Sequence, residues 1–374
     1  MIRILERWLK QGSREDEKFE ISCGGNPSAL NIVILTENIN ATYFISFDIP
    51  LRVLHKRRMV NFAVASQKHV AASRQWQEID DNFDADVVIM TRYGDSSGRG
   101  ILDGFRRRGI PVIYHIDDDL LEIPESLGDE IGKRQGSKEV VETRRYILQN
   151  CDLIYASTQV LAELMQRRFP SQHVVYGIYA PYMGDMLTPS VTSSDHGQVI
   201  GYMGSKGHQR DLELVVPTLE RLLREREELR FEVFGTIKVP DALKHFGSRV
   251  GNYSVQKSYA EFLASLASLG WSIGLAPLQD EPFNHCKAPT KFIEYTACGI
   301  AVVASRIPLY EEAMPRNGGL LVDGDWYTPL SYLLDHPLQR KNSVVAAQNH
   351  CAAKYDSEVL QRQILGIIGL VIKK

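Results

Sequence analysis

From Asn31 onward the chain alternates between short apolar runs and longer stretches of mixed polarity. Ile32-Val33-Ile34-Leu35, Phe62-Ala63-Val64-Ala65, Val87-Val88-Ile89-Met90, Pro111-Val112-Ile113-Tyr114-His115 and Asp152-Leu153-Ile154-Tyr155-Ala156 read as strands, with helices predicted over Phe47 to Arg58, Gly100 to Arg108 and roughly Val140 to Leu148. Strands without polar alternation, separated by helices, belong to a parallel sheet covered on both faces. Between Ala180 and Gln198 the rhythm stops in a stretch of loop-forming residues, the mark of a linker. It resumes with strands at Val199–Met203, Arg230–Phe234, Trp271–Ala276, Ala301–Ala304 and Gly319–Val322, and with helices at Asp211–Arg224, Tyr259–Leu269 and Thr290–Cys298. From Tyr327 the chain is mainly helical. The prediction is an α/β protein of two doubly wound parallel-sheet domains facing a central cleft: 29–180, a linker over 181–197, and 198–354. In such sheets ligands sit beyond the carboxyl ends of the strands. Residues 1–28 stand apart as an extension. There Ile2, Leu5, Trp8 and Leu9 share one helical face opposite Arg3, Glu6, Arg7 and Lys10, a pattern that fits packing on the protein body or lying on a membrane surface.

Composition narrows the class without choosing a function. A net charge of −3 lacks the basic excess of a nucleic-acid binder. No run approaches the about 20 apolar residues of a membrane span, and charges interrupt the N-terminus where a secretory signal needs apolar residues. Cys23, Cys151, Cys286, Cys298 and Cys351 are odd in number, scattered and without CxxC spacing. That speaks against a disulfide framework or a structural zinc site and fits a reducing cytosol. Contact with the inner face of a membrane stays open through the basic clusters Lys56-Arg57-Arg58 and Arg106-Arg107-Arg108, although solvated helix ends explain them as well.

The chemistry concentrates in Asp280 to Ser305. Pro289 marks the start of a helix and Gly299 its end, and a strand precedes it, so the helix N-terminus should face the cleft. Unpaired N–H groups and the helix dipole favour phosphate there, with Lys287 before the terminus and Thr290 and Lys291 in the first turn. Glu294, one turn deeper, could accept from two ribose hydroxyls, or form an i,i+3 pair with Lys291. The run Phe283-Asn284-X-Cys286-Lys287-X-X-X-Lys291-Phe292-X-Glu294-Tyr295 through Ala301-Val302-Val303-Ala304 resembles the donor-site motif of GT-B glycosyltransferases, particularly the family 4-like group. The resemblance implies two Rossmann-like domains, with Asn284, Lys287, Thr290 and Lys291 at a nucleotide-sugar diphosphate and Glu294 at the ribose. The motif's other glutamate would fall at 286, where this chain has Cys286, so that residue's sugar-binding role does not carry over. A second stretch, Gly201-Tyr202-Met203-Gly204-Ser205-Lys206-Gly207-His208-Gln209-Arg210-Asp211, resembles the family's first donor-domain loop. It adds Gly204, Ser205, Lys206 and His208 to the donor site, while Asp211 reads as an N-terminal helix residue. Phe234-Gly235-Thr236 resembles the turn near the base and adds Thr236. Relatives with this fold pack the last helix, here 355–374, back across the cleft.

In the N-terminal half, His115-Ile116-Asp117-Asp118-Asp119 follows a buried strand. It resembles the His-Asp element at the acceptor edge of GT-B transferases, where His115 or Asp118 would orient or deprotonate an acceptor hydroxyl; the other reading is an acidic loop that caps a turn. A manganese site of the Asp-X-Asp kind is not expected, because the lysine-rich helix end already meets the phosphate. The resemblance therefore implies a glycosyltransferase that moves a sugar from a nucleotide-diphosphate donor to a hydroxyl acceptor, a glycan or lipid-linked glycan. It further implies retention, no metal or other cofactor, and a setting in bacterial surface-polysaccharide synthesis. A nucleotide-sugar epimerase of the same fold and a non-catalytic partner module are the alternatives.

Overall fold

The computed structural model describes residues 19–72, 83–124, 129–184, 198–254 and 259–372. The amphipathic pattern of Ile2, Leu5, Trp8 and Leu9 lies outside them, as does 185–197 of the expected linker. The chain divides into two compact units. The N-terminal unit takes the chain as far as Pro181 together with Cys286–Ala288 and the stretch from Ser357; the C-terminal unit holds Tyr182–His285 and Pro289–Asp356.

The N-terminal unit is built on β1 (Ile21–Cys23), β2 (Leu30–Thr36), β3 (Val60–Ser66), β4 (Val87–Thr91), β5 (Val112–Ile116), β6 (Leu153–Ala156) and β7 (Val174–Tyr176). Their order is β1-β3-β2-β4-β5-β6-β7; β1 is antiparallel to β3 and the other pairs are parallel. The missing polar alternation has a direct cause. Ile32, Ile34, Val87, Ile89 and Ile113 point into one buried cluster, while Val33, Leu35, Val88, Met90 and Tyr114 point into another on the opposite face. The last helix, Ser357–Gly369, closes the first of these with Leu360, Ile364, Ile367 and Ile368. Two edge strands of this sheet escaped the sequence reading, as did Val250–Tyr253 at the edge of the C-terminal sheet. β1 lies inside the stretch taken for an extension, and both β1 and β7 are too short to carry a pattern. The helix expected over Phe47 to Arg58 begins instead with a π-turn, Phe44–Asp48, before Ile49–Lys56. Pro50, which cannot donate to the preceding turn, sits at that junction.

The C-terminal unit carries β8 (Val199–Gly204), β9 (Arg230–Gly235), β10 (Val250–Tyr253), β11 (Ile273–Ala276), β12 (Ala301–Ser305) and β13 (Leu320–Val322), all parallel, in the order β10-β9-β8-β11-β12-β13. The single helix expected over Asp211 to Arg224 is two, Gln209–Glu213 and Val216–Glu225, because Pro217 starts a new helix better than it continues one.

The strand order of this sheet reverses between β8 and β11, the place where open α/β sheets bind ligands. Their register pairs Ile200 with Ile273 and Gly201 with Gly274. Beyond that pair the Tyr295 hydroxyl stands between the strands, accepting from Met203 N–H at 2.8 Å and donating to Leu275 C=O at 3.1 Å. Gly274 leaves room for it: a Cβ there would lie 2.8 Å from the Tyr295 ring, and one at Gly201 would overlap the Trp271 ring. Both Tyr295 and the strand ends are buried. Removing the hydroxyl would leave a buried N–H and C=O without their partner, which costs about 1–3 kcal/mol. Tyr295→Phe should lower the free energy of unfolding by that amount in urea titrations; an unchanged midpoint would show that the two strands do not need the bridge.

Candidate functional site

At the carboxyl edge of the C-terminal sheet, three loops meet. Gly204 ends β8, its carbonyl accepting from Thr236 N–H and Ile237 N–H, both at 3.2 Å. Gly235 makes this approach possible with φ +124, and a Cβ on it would collide with the Gly204 carbonyl. Ser205 and Lys206 are exposed, and the Lys206 N–H donates to the Thr236 hydroxyl at 3.0 Å. His208 follows in the same short turn, with Nδ1 2.8 Å from Asp211 Oδ2.

The third loop follows β11. Asn284 is buried, its side-chain amide donating to Gln279 C=O at 2.9 Å, so it shapes the loop. The helix Thr290–Ala297 starts at Pro289, which offers no side-chain cap; a bound anion would therefore meet the first-turn N–H groups. It ends as predicted at Gly299, φ +73, with Ile300 N–H on Tyr295 C=O and Gly299 N–H on Thr296 C=O, a Schellman closure. Thr290 and Lys291 lie in the first turn, Lys291 Nζ 5.5 Å from the centre of the Tyr202 ring, and Glu294 is buried one turn deeper. Thus Gly204, Ser205, Lys206, His208, Thr236, Thr290, Lys291 and Glu294 all belong to loops and a helix end at the carboxyl edge of one sheet.

Lys287 groups elsewhere, with the N-terminal unit. Cys286 is 2% exposed in that unit's core, its carbonyl accepting from Thr158 Oγ1 at 2.9 Å, and burial pushes its thiol up to about 12. It carries no charge at neutral pH and fills space where the motif would have a carboxylate. Lys287, with its Nζ shielded from solvent, acts electrostatically on Asp118.

Asp118 stands in a buried charge network that the sequence reading missed. Arg92 Nη1 donates to Asp117 Oδ1 at 2.7 Å and to Asp118 Oδ2 at 3.1 Å, while its Nε donates to Glu37 Oε2 at 3.3 Å. Gln135 donates to Glu37 and accepts from Arg144, whose Nη1 reaches the Gln135 carbonyl at 3.0 Å. Glu37 and Arg92 follow directly after β2 and β4, the strands between which this sheet's order reverses. Arg92 holds φ +54, an unfavourable backbone for a non-glycine residue that its surroundings must maintain. The available signal was a charged residue immediately after each buried strand. Against the cost of burial, Arg92 and His115 hold Asp117 below the usual carboxylate range. Burial and the adjacent Asp117 raise Asp118. Asp119 pairs with Arg168, so each of the three carboxylates in the Asp117-Asp118-Asp119 run is held by an arginine.

His115 is the residue whose placement departs most from expectation. It is 0% exposed, in the middle of β5's neighbours. Thr91 Oγ1 lies 2.8 Å from Nδ1, Nε2 meets no hydrogen-bonding atom among the described residues, and Phe47, Tyr155 and Tyr179 surround the ring. Burial lowers it to about 4. A neutral enclosed imidazole positions its neighbours; the residue of the pair that reaches the edge is Asp118, whose side chain is 25% exposed.

Comparison with known proteins bears on the fold. A family model described as Glycosyl transferase-like matches residues 213–366, so the C-terminal part carries a glycosyltransferase-family domain. Among curated proteins none matches the sequence. Among the solved structures similar across nearly the whole chain are a sucrose-phosphate synthase, HepE and a trehalose-phosphate synthase. Sucrose-phosphate synthase from Thermosynechococcus elongatus has a TM-score of 0.66 at 12% identity, covering 91% of this chain and 99% of that one. Anabaena Alr3699/HepE in complex with UDP has 0.62 at 12%, covering 91% and 100%. A UDP-forming alpha, alpha-trehalose-phosphate synthase from Burkholderia xenovorans has 0.60 at 11%, covering 92% and 100%. The fold is GT-B, two Rossmann-like units, as the sequence implied.

The shifts in the N-terminal network predict a pH dependence of stability. His115, lowered from about 6.5 to about 4, contributes fully above its unfolded value and loses that contribution as the pH falls through 4. The loss amounts to about 3 kcal/mol. The lowered Asp117 acts in the same direction at still lower pH. Urea titrations between pH 7 and 4 should show the decline in wild type and a shallower one in His115→Gln; equal slopes would place the ring in contact with solvent. Arg92→Met, which strands buried carboxylates, should cost about 3–5 kcal/mol at pH 7.

Proposed function

We propose that this chain transfers a sugar from a nucleoside-diphosphate donor, a UDP-sugar first of all, to a hydroxyl acceptor. The observation that carries the reading is the helix Thr290–Ala297. Its N-terminus has no side-chain cap from Pro289, Lys291 lies in its first turn and Glu294 one turn deeper, and it stands beside the point where strand order reverses, inside a glycosyltransferase-family domain. UDP and UDP-glucose in the Anabaena Alr3699/HepE structures support the choice of base. In this reading the helix end, Lys291 and Lys206 neutralise the diphosphate and Glu294 holds the ribose hydroxyls, while Lys287 acts on Asp118 within the N-terminal unit. Positioning and fixed charge of this kind supply most of the rate in such transfers.

Asp118 orients the acceptor hydroxyl, with Arg92 and Asp117 holding it in place and His115 packed behind. The finer claims are retention of anomeric configuration and independence from metal, because lysines and N–H groups take the place a cation would have and arginines occupy Asp117, Asp118 and Asp119. A glycan or lipid-linked glycan acceptor, bacterial surface-polysaccharide synthesis and a cytoplasmic location, at the inner face of the membrane, complete the proposal. Among the described residues no helix is long and apolar enough to cross a membrane.

Thermal denaturation with UDP, GDP, ADP, dTDP and CMP in EDTA tests the donor site. A ligand at a hundred times its Kd adds about 2.7 kcal/mol, and UDP should give the largest shift. Silence from all five nucleotides would leave the non-catalytic module as the better reading. With donor turnover established, Glu294→Ala should weaken nucleotide binding, and Lys287→Ala should depress kcat more than it raises KM. Unchanged kinetics in both would remove these residues from the site. Activity lost in EDTA and restored by manganese would overturn the metal-free mechanism.

A further inference from the structure

Asp211 is placed as an ordinary residue in the first turn of Gln209–Glu213, where a carboxylate usually serves its own helix's N–H groups. Its side chain does something else. Oδ2 lies 2.8 Å from His208 Nδ1, and Oδ1 accepts from the Gln279 backbone N–H at 3.0 Å. Gln279 returns the contact through its side-chain amide to Arg210 C=O at 3.1 Å, and its own carbonyl holds Asn284. Asp211 is 6% exposed and Asn284 2%, so the chain His208–Asp211–Gln279–Asn284 ties the loop after β8 to the loop after β11, buried at Asp211 and Asn284 and half-buried at His208 and Gln279. Those are the two loops that flank the reversal of strand order, and Asp211 engages a titratable ring on one side and backbone on the other.

We infer that Asp211 is a positioning residue for nucleoside-diphosphate binding: it locks the two loops together and orients His208 so that the ring's Nε2 meets the diphosphate. A carboxylate can only accept, so the proton between them sits on Nδ1. With that nitrogen committed, a ligand is met by Nε2. An imidazolium ring donating to Asp211 through one nitrogen and to a phosphate oxygen through the other satisfies both anions, and neutral imidazole cannot. The inference rests on the donor-site reading above and adds to it a residue that touches no substrate.

UDP and uridine binding by calorimetry, for wild type, His208→Gln, Asp211→Asn and the double variant, separates the two. Asp211→Asn keeps an oxygen for the Gln279 N–H and replaces the carboxylate oxygen that faces His208 with an amide. Each single variant should lose roughly 10-fold in UDP affinity with uridine affinity unchanged, and the double variant should be no weaker than His208→Gln, because one residue acts through the other. The 15N signals of the His208 ring, assigned by their loss in His208→Gln, should show Nδ1 protonated in wild type, both nitrogens protonated with UDP, and the opposite neutral tautomer in Asp211→Asn. UDP affinity unchanged in Asp211→Asn, additive losses, or a wild-type ring indifferent to UDP overturns the inference while the donor site stands. Wild type that binds neither UDP nor uridine overturns the donor-site reading and the inference with it.

Discussion

The hydroxyl of Tyr295 sits where two neighbouring strands of the C-terminal sheet part, beyond the last residues that β8 and β11 pair. At a reversal of strand order two neighbouring strands send their connections to opposite faces, and nothing covers the gap at their carboxyl ends. Backbone groups in that gap still need partners. One phenolic oxygen accepts from Met203 and donates to Leu275, and a pair of facing glycines lets the aromatic rings close in. Because Tyr295 belongs to the helix Thr290–Ala297, the same contact fixes that helix against the crevice. The N-terminal end of the helix is thereby aimed by a hydrogen bond made five residues further along it.

The N-terminal sheet meets the same constraint with charge instead of a phenol. Glu37 and Arg92 leave the two strands at its reversal point and bind each other, and Arg92 also gathers Asp117 and Asp118. Burying this many charges is costly, and each loses far more when its partner is removed than the pair contributes. The network therefore resists piecemeal change, which is consistent with the unfavourable backbone of Arg92 being maintained. Its effect on chemistry is to divide two adjacent carboxylates: Asp117 is kept ionised and buried, while Asp118 is raised and reaches the surface. Groups of one kind with separated ionisation are what acid–base chemistry uses.

Cys286 shows how a departure from a motif can be structural. A carboxylate at that position would enter the N-terminal unit's apolar core, where an ion without a partner is expelled or neutralised. A thiol is small and uncharged there. The neighbouring Lys287 acts on Asp118 in the same unit, so the segment contributes a cation next to the carboxylate that the N-terminal network leaves exposed.

What the sequence by itself determined was the pattern of burial. The runs Ile32–Leu35, Val87–Met90 and Ala301–Ala304 are apolar on both faces, and only a covered parallel sheet satisfies such strands. Pro289 and Gly299 set the ends of the helix Thr290–Ala297 for reasons local to the backbone, and the spacing of Lys291 and Glu294 on it follows from helical geometry alone. Three-residue edge strands such as β1 and β7 were invisible because so few residues carry no periodicity. Only the tertiary structure could decide the rest, because it depends on which distant segments meet. Glu37 and Arg92 become a pair through strand order, His115 loses its access to solvent through rings brought by three other elements, and Asp211 reaches Gln279 across a reversal that no local pattern encodes. Each of these rests on partners far apart in the chain, brought together by the packing of the sheets.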